Sequence, residues 1–162
     1  MIVVADTSPV NYLVRCGCAW VLPELFGRVL VPPAVVTEML HSRSPNEVRE
    51  FASSPPAWLE CVAVHQMLPE IDPQLGAGER EAICLALETH ADALLIDERR
   101  GRREAQAHNV AARGTVAVLL QAGIRGYIDF PESLSKLVAL GFRISDSLRD
   151  AALDEFRQRR SG

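Results

Sequence analysis

Four carboxylates in this chain of 162 residues, Asp6, Glu38, Glu79 and Asp97, stand where they could share a divalent cation. Asp6 follows the apolar run Ile2-Val3-Val4-Ala5, and Asp97 follows Ala93-Leu94-Leu95-Ile96. Both runs read as strands buried on two faces. Ligands of an open parallel sheet bind beyond the carboxyl ends of its strands, so a parallel pairing brings both acids to one edge. Glu79 opens an amphipathic helix predicted over 79–89, on the side of Ala82, Ile83 and Ala86, whereas Glu81 and Glu88 fall on the solvated side. Glu38 lies a turn or two after Pro33. An inward-facing charge is costly unless it is paired or metal-bound.

Each acid also has an ordinary reading. Asp6 could be a turn or capping residue, Asp97 an N-cap, Glu79 a partner of the helix dipole, and Glu38 a solvated side chain. Convergence argues for more. Four unneutralised acids at one edge raise one another's pKa values, and a divalent cation removes that conflict. An all-oxygen donor set suits Mg²⁺ or Mn²⁺, which can activate a water or stabilise a leaving oxygen. One or two such ions over a phosphodiester are the basis of a hydrolytic nuclease.

The elements that must position these acids alternate between strand and helix. Ser8 with Pro9 reads as the N-cap and first residue of a helix ending near Gly17, and a second helix is predicted over 20–26. Val29-Leu30-Val31 is a strand, and Pro32-Pro33 opens the helix that carries Glu38. A short helix over 46–52, a strand over 59–64 and a long surface connection over 65–78 follow. After the strand at 93–96, Asp97 to Glu104 is charged and helical, 110–112 forms a last strand, and helices cover 116–122, 132–140 and 145–160. Such alternation predicts an α/β fold with a mostly parallel central sheet. A domain over 1–145 followed by a helical tail over 146–162 is the expected organisation.

Composition narrows the function. The chain is 48% hydrophobic and 23% charged, as expected of a single globular domain, and no apolar run approaches the ~20 residues of a membrane span. Cys16, Cys18, Cys61 and Cys84 lack metal or disulfide spacing and read as reduced thiols of a cytoplasmic protein. The net charge of −4 is no footprint of a protein that coats nucleic acid. Local phosphate binding is still open, because Arg99, Arg100, Arg102 and Arg103 begin beside Asp97. The four histidines lack zinc spacing, no glycine-rich phosphate loop occurs, and Ser8 lacks the glycines of a nucleophile elbow. A phosphatase using Asp6 as nucleophile is disfavoured because no second aspartate follows two residues on.

Ile2-Val3-Val4-Ala5-Asp6-Thr7-Ser8-Pro9, Glu38 after Val31-Pro32, Gly78-Glu79-Arg80-Glu81-Ala82-Ile83 and Leu95-Ile96-Asp97-Glu98-Arg99-Arg100-Gly101-Arg102 together resemble the PIN-domain proteins. The nearest likeness is to the subgroup with a GExEAI motif followed by IDxRRGR. This resemblance implies a three-layer α/β/α fold and a ribonuclease that uses Mg²⁺ or Mn²⁺ held by Asp6, Glu38, Glu79 and Asp97, with Glu98 as the other candidate for the last acid. It implies Thr7 or Ser8 as the hydroxyl beside the first aspartate and Thr115 as one that helps order the site. Arg99, Arg100 and Arg102 are expected to position RNA. The resemblance further implies a VapC-type toxin paired with an antitoxin, and a homodimer formed through the early helices, where Trp20, Leu22, Leu25 and Phe26 make an apolar stripe. The competing class is a catalytically silent PIN-fold module that binds RNA or protein.

Overall fold

A computed structural model of the chain describes residues 1–161. Five strands, β1 (Ile2–Ala5), β2 (Arg28–Val31), β3 (Leu59–Cys61), β4 (Ala93–Leu95) and β5 (Ala112–Arg113), form one all-parallel sheet in the order β3-β2-β1-β4-β5. The chain starts at the centre of the sheet, steps outward through β2 to β3, and then crosses to the other side of β1 for β4 and β5. That reversal opens a crevice between the ends of β1 and β4, the place where an open α/β sheet binds ligands. The register pairs Val4 with Leu94 and Ala5 with Leu95, and the Asp6 N–H donates to the Leu95 carbonyl at 2.9 Å. Asp6 and Asp97 therefore leave the sheet side by side.

The strands are apolar on both faces because both are covered, which makes the fold three layers, α/β/α. Val3, Ala5, Val29, Val31, Ala93 and Leu95 face a large core built by α1 (Thr7–Arg15), α2 (Val21–Phe26), α3 (Pro33–Leu40), α4 (Asn46–Ser53), α7 (Thr115–Ile124), α8 (Phe130–Ala139) and α9 (Asp146–Ser161). Val4, Leu30, Leu94 and Ile96 face a smaller core built by α5 (Ala77–Glu88) and α6 (Arg99–Ala107). In α9, Ala152 is buried and the Phe156 ring lies 5.4 Å from that of Phe130.

Several expected boundaries shift, each for a local reason. Asp6 is the N-cap of α1, which begins at Thr7, so Ser8 is a helical residue with its hydroxyl free for other work. Glu98, not Asp97, caps α6: its carboxylate accepts the Gly101 N–H at 3.0 Å. The third strand stops at Cys61, once its pairing with Val31 ends, instead of reaching Val64. β5 begins at Ala112, where pairing with Leu94 begins, and not at Val110. The connection over 65–78 crosses the surface but anchors Ile71 and Leu75 in the smaller core. Leu22, Leu25 and Phe26 are also committed to the chain's own core, which leaves Trp20, 47% exposed, as the open part of that apolar stripe. All four cysteines are free, and among the described residues no helix is long and apolar enough to cross a membrane.

Phe130 is fully buried where α7, α8 and α9 meet, with its Cβ close against Gly123. Phe130→Ala is expected to lower the unfolding free energy by about 3–5 kcal/mol, the usual cost of emptying a large aromatic site. Urea unfolding followed by circular dichroism checks this; a loss under about 1 kcal/mol would mean that the three helices do not pack as described.

Candidate active site

A hollow of about 620 Å³ lies at the crevice and is lined by Asp6, Glu38, Glu79, Asp97, Thr7 and Ser8, with Asn11, Tyr12, Arg15, Glu98, Phe142 and Arg143 around them. All four predicted acids are therefore brought together. Each arrives on a different element: Asp6 at the end of β1, Glu38 on α3 after β2, Glu79 in the first turn of α5, and Asp97 just past β4.

Two of the acids are fastened by the chain itself. Asp97 accepts the Ser8 hydroxyl at 2.7 Å, the Thr115 hydroxyl at 2.7 Å and the Thr115 N–H at 2.7 Å. That last donor opens α7, whose amino end favours an anion. Glu38 accepts the Thr7 hydroxyl and, at 3.0 Å, the Gly78 N–H from the first turn of α5. Thr7 and Ser8 thus fasten different acids from adjacent positions at the start of one helix.

Glycine permits this close approach. A Cβ at position 78 would stand 2.7 Å from both Glu38 carboxylate oxygens, and one at position 114 would stand 2.9 Å from Asp97 Oδ1. Any other residue at either position would push the carboxylate off its amide.

The other two acids keep a vacant acceptor. Glu79 Oε1 accepts the Gly76 N–H at 3.2 Å, but Glu79 Oε2 and Asp6 Oδ1 are buried with no hydrogen-bond partner. Asp6 is only 5% exposed. Burial, aided by the charges of Glu79, Glu38 and Asp97 and opposed by a hydrogen bond from the Thr7 backbone, pushes its carboxyl up to about 7. Burial likewise raises Glu79, opposed by the Gly76 hydrogen bond and reinforced by Glu98 and Glu38.

The donor chemistry of these residues suits a divalent cation. The donors are all hard oxygens, two are buried and unpartnered, and the remaining acids are held in place around them. Among the described residues no three His, Cys, Asp or Glu side chains stand close enough together to hold a metal ion as they are placed. Hydroxyls and amides, not mutual proximity, hold Glu38 and Asp97. Glu98 lines the hollow too, but one of its oxygens is engaged in capping α6.

The arginine run does not form this hollow. Arg100 turns away to Asp72, with Nε 2.5 Å from Oδ2, Arg99 lies outside, and Arg102 lines an adjoining hollow. The basic residues at the acids are Arg15 and Arg143, which the sequence reading did not single out. Arg15 rests over the Tyr12 ring at 5.5 Å, and its Nε is buried without a partner. Tyr12 in turn meets Phe142 edge to face at 5.0 Å. The spacing of four in Thr7, Asn11 and Arg15, and in Ser8 and Tyr12, was the signal for one polar face on α1. Nothing local marks Arg143, which reaches the site from the loop between α8 and α9.

A family model described as DUF3368, PIN domain, matches residues 2–158. Among solved structures, a PilT N-terminus domain protein from the hyperthermophilic archaeon Sulfolobus solfataricus P2 is similar in fold. Its TM-score is 0.56 at 16% identity, over 75% of this chain and 93% of that one. No curated protein matches the chain.

The raised Asp6 carboxyl fixes the sign of a pH effect. The group takes up its proton more readily folded than unfolded, so its contribution to stability is full below about pH 4 and lost as pH rises through about 7. Three pH units at about 1.4 kcal/mol each make the cost at pH 8 on the order of 4 kcal/mol at most. Asp6→Asn is therefore expected to raise the melting temperature in EDTA at pH 8 and to change it little at pH 4.5. Calorimetry at both values checks this, and an equal shift at the two would contradict the electrostatic origin.

Proposed function

This chain belongs to the PIN-domain family, a nuclease-type fold, and from that premise we propose that it is a metal-dependent ribonuclease, the toxin of a toxin–antitoxin pair. The observation that carries the proposal is the hollow itself: four carboxylates from four elements, two with buried oxygens left free, beside two arginines. Asp6, Glu38, Glu79 and Asp97 would hold Mg²⁺ or Mn²⁺. When bound, such an ion lowers the pKa of a coordinated water and offsets charge on a phosphodiester, which makes water a competent nucleophile near neutral pH.

The chain supplies positioning. Thr7, Ser8 and Thr115 keep Glu38 and Asp97 from swinging into solvent, so their oxygens need no reorganisation when charge develops. Arg15 and Arg143 present guanidinium groups that match the geometry of phosphate oxygens. The Tyr12 and Phe142 rings beside them offer a face on which a base can stack. Arg102, next along the surface, extends the contact, whereas Arg100 is engaged with Asp72. A cognate antitoxin would act by covering this opening, and a second copy would pair at the early helices around exposed Trp20. The site of action is the cytoplasm, where transcripts are found.

Cleavage of a labelled single-stranded RNA against Mg²⁺ and Mn²⁺ concentration tests the reading. Asp6→Asn and Glu79→Gln are each expected to lower the rate by on the order of a hundredfold or more, because a metal site supplies several kcal/mol of transition-state stabilisation. Asp6→Asn should lose activity while gaining stability without metal. A folded wild type that binds RNA and never cuts it with either metal would make the chain a silent binding module.

A further inference from the structure

The hollow at the acids continues along the surface as a furrow. Phe142 and Arg143 are shared with a second hollow of about 520 Å³, which adds Arg102 and Arg113. Arg113, Ala117, Leu120 and Glu155 are shared in turn with a third, of about 430 Å³, which adds Arg125 and Arg159. Residues of α7 and α9 line its length.

What marks the furrow is that unpaired arginines follow one another along it. Elsewhere on the surface Arg28, Arg100, Arg149 and Arg157 are each paired with a carboxylate, and Arg43, Arg99 and Arg103, which have no ion pair among the described residues, lie off the furrow. Among the described residues, Arg102, Arg125 and Arg143 make no ion pair, and Arg113 bonds only the neutral Gln121 amide oxygen, at 3.3 Å. The opposing acid, Glu155, is itself taken up by Arg159 at 3.4 Å. Four such guanidinium groups aligned along one continuous track, in a chain of net charge −4, make a local cationic strip that suits an anion from outside. A track that begins at the acids and repeats cationic groups along its length suits a polyanion better than a single small one.

We propose that the furrow between α7 and α9 binds the phosphate backbone of a single-stranded RNA running away from the carboxylate site, with Arg143 at the junction and Arg102, Arg113 and Arg125 along the path. The inference rests on the ribonuclease reading for the identity of the polyanion. An acidic protein segment would satisfy the charges, but it would not need the continuity with the carboxylate hollow. A strand whose phosphodiester lies at the acids must continue somewhere, and the furrow is the cationic exit.

The test is fluorescence anisotropy with a labelled RNA of roughly 12 nucleotides, within the length that single-strand grooves cover, in the Asp6→Asn background so that the strand stays intact. Arg113→Ala with Arg125→Ala is compared with Arg43→Ala with Arg103→Ala, two exposed arginines off the furrow that remove equal charge. The furrow pair is expected to weaken binding about tenfold or more and to flatten the salt dependence by roughly 0.7 per lost phosphate contact, with the control pair near the parent. Arg125→Gln, an exposed change that leaves the Arg113 hydrogen bond intact, must move in the same direction. Equal losses in both pairs, unchanged binding in the furrow pair, or an acidic peptide bound where RNA is not would each overturn the assignment. Because the assay needs no turnover, RNA binding that falls with the furrow pair supports the furrow even if the wild type never cuts. Undiminished furrow-variant binding beside active wild-type cleavage overturns the furrow alone.

Discussion

Four carboxylates in one partly buried hollow repel one another, and the fold is arranged around that repulsion. Two of the four are satisfied by the chain: Glu38 by a hydroxyl and an amide, and Asp97 by two hydroxyls and an amide. What is left over falls on Asp6 and Glu79, each with a buried oxygen that nothing donates to. Burial, reinforced by the charges of the neighbouring acids, pushes the Asp6 carboxyl up to about 7. Stability is given up at the point where a cation would return it, as is common where function requires an unfavourable ground state.

The topology makes the arrangement unavoidable once the strands are in order. β1 is central, so Asp6 leaves the sheet beside the end of β4, and the reversal of strand order opens space between them. The amino ends of α5 and α7 reach the same edge, and their first amides are the donors that Glu38 and Asp97 accept. Gly78 and Gly114 remove the two Cβ atoms that would block this approach. Packing enforces the geometry from beneath: Val4, Leu94 and Ile96 on one face and Ala5 and Leu95 on the other leave the strand ends no freedom to tilt.

Much of this was legible in the sequence, because it depends on local patterns. Unbroken apolar runs ending in Asp6 and Asp97 mark strand ends, and the inward direction of Glu79 follows from helical periodicity. The pairings of hydroxyl with acid were not legible. Ser8 and Asp97 are 89 residues apart, and only the parallel register of β1 with β4 makes them neighbours. The arginines that line the acidic hollow were not legible for a related reason. A dense run such as Arg99 to Arg103 is conspicuous in sequence, yet it lies on a helix that directs Arg100 to Asp72. Arg143, isolated in sequence, is carried into the site by the loop that connects α8 to α9.

If the four acids form one cation site whose unmet charge rests on Asp6, Mn²⁺ titration calorimetry near pH 6 in two buffers of different ionisation enthalpy will register it. Saturable binding with release of a proton is expected, because burial keeps the Asp6 carboxyl up at about 7 in the free protein, and both are expected to be lost in Asp6→Asn. Binding without proton release, or binding that survives Asp6→Asn unchanged, would place the ion elsewhere and contradict a site shared by the four acids.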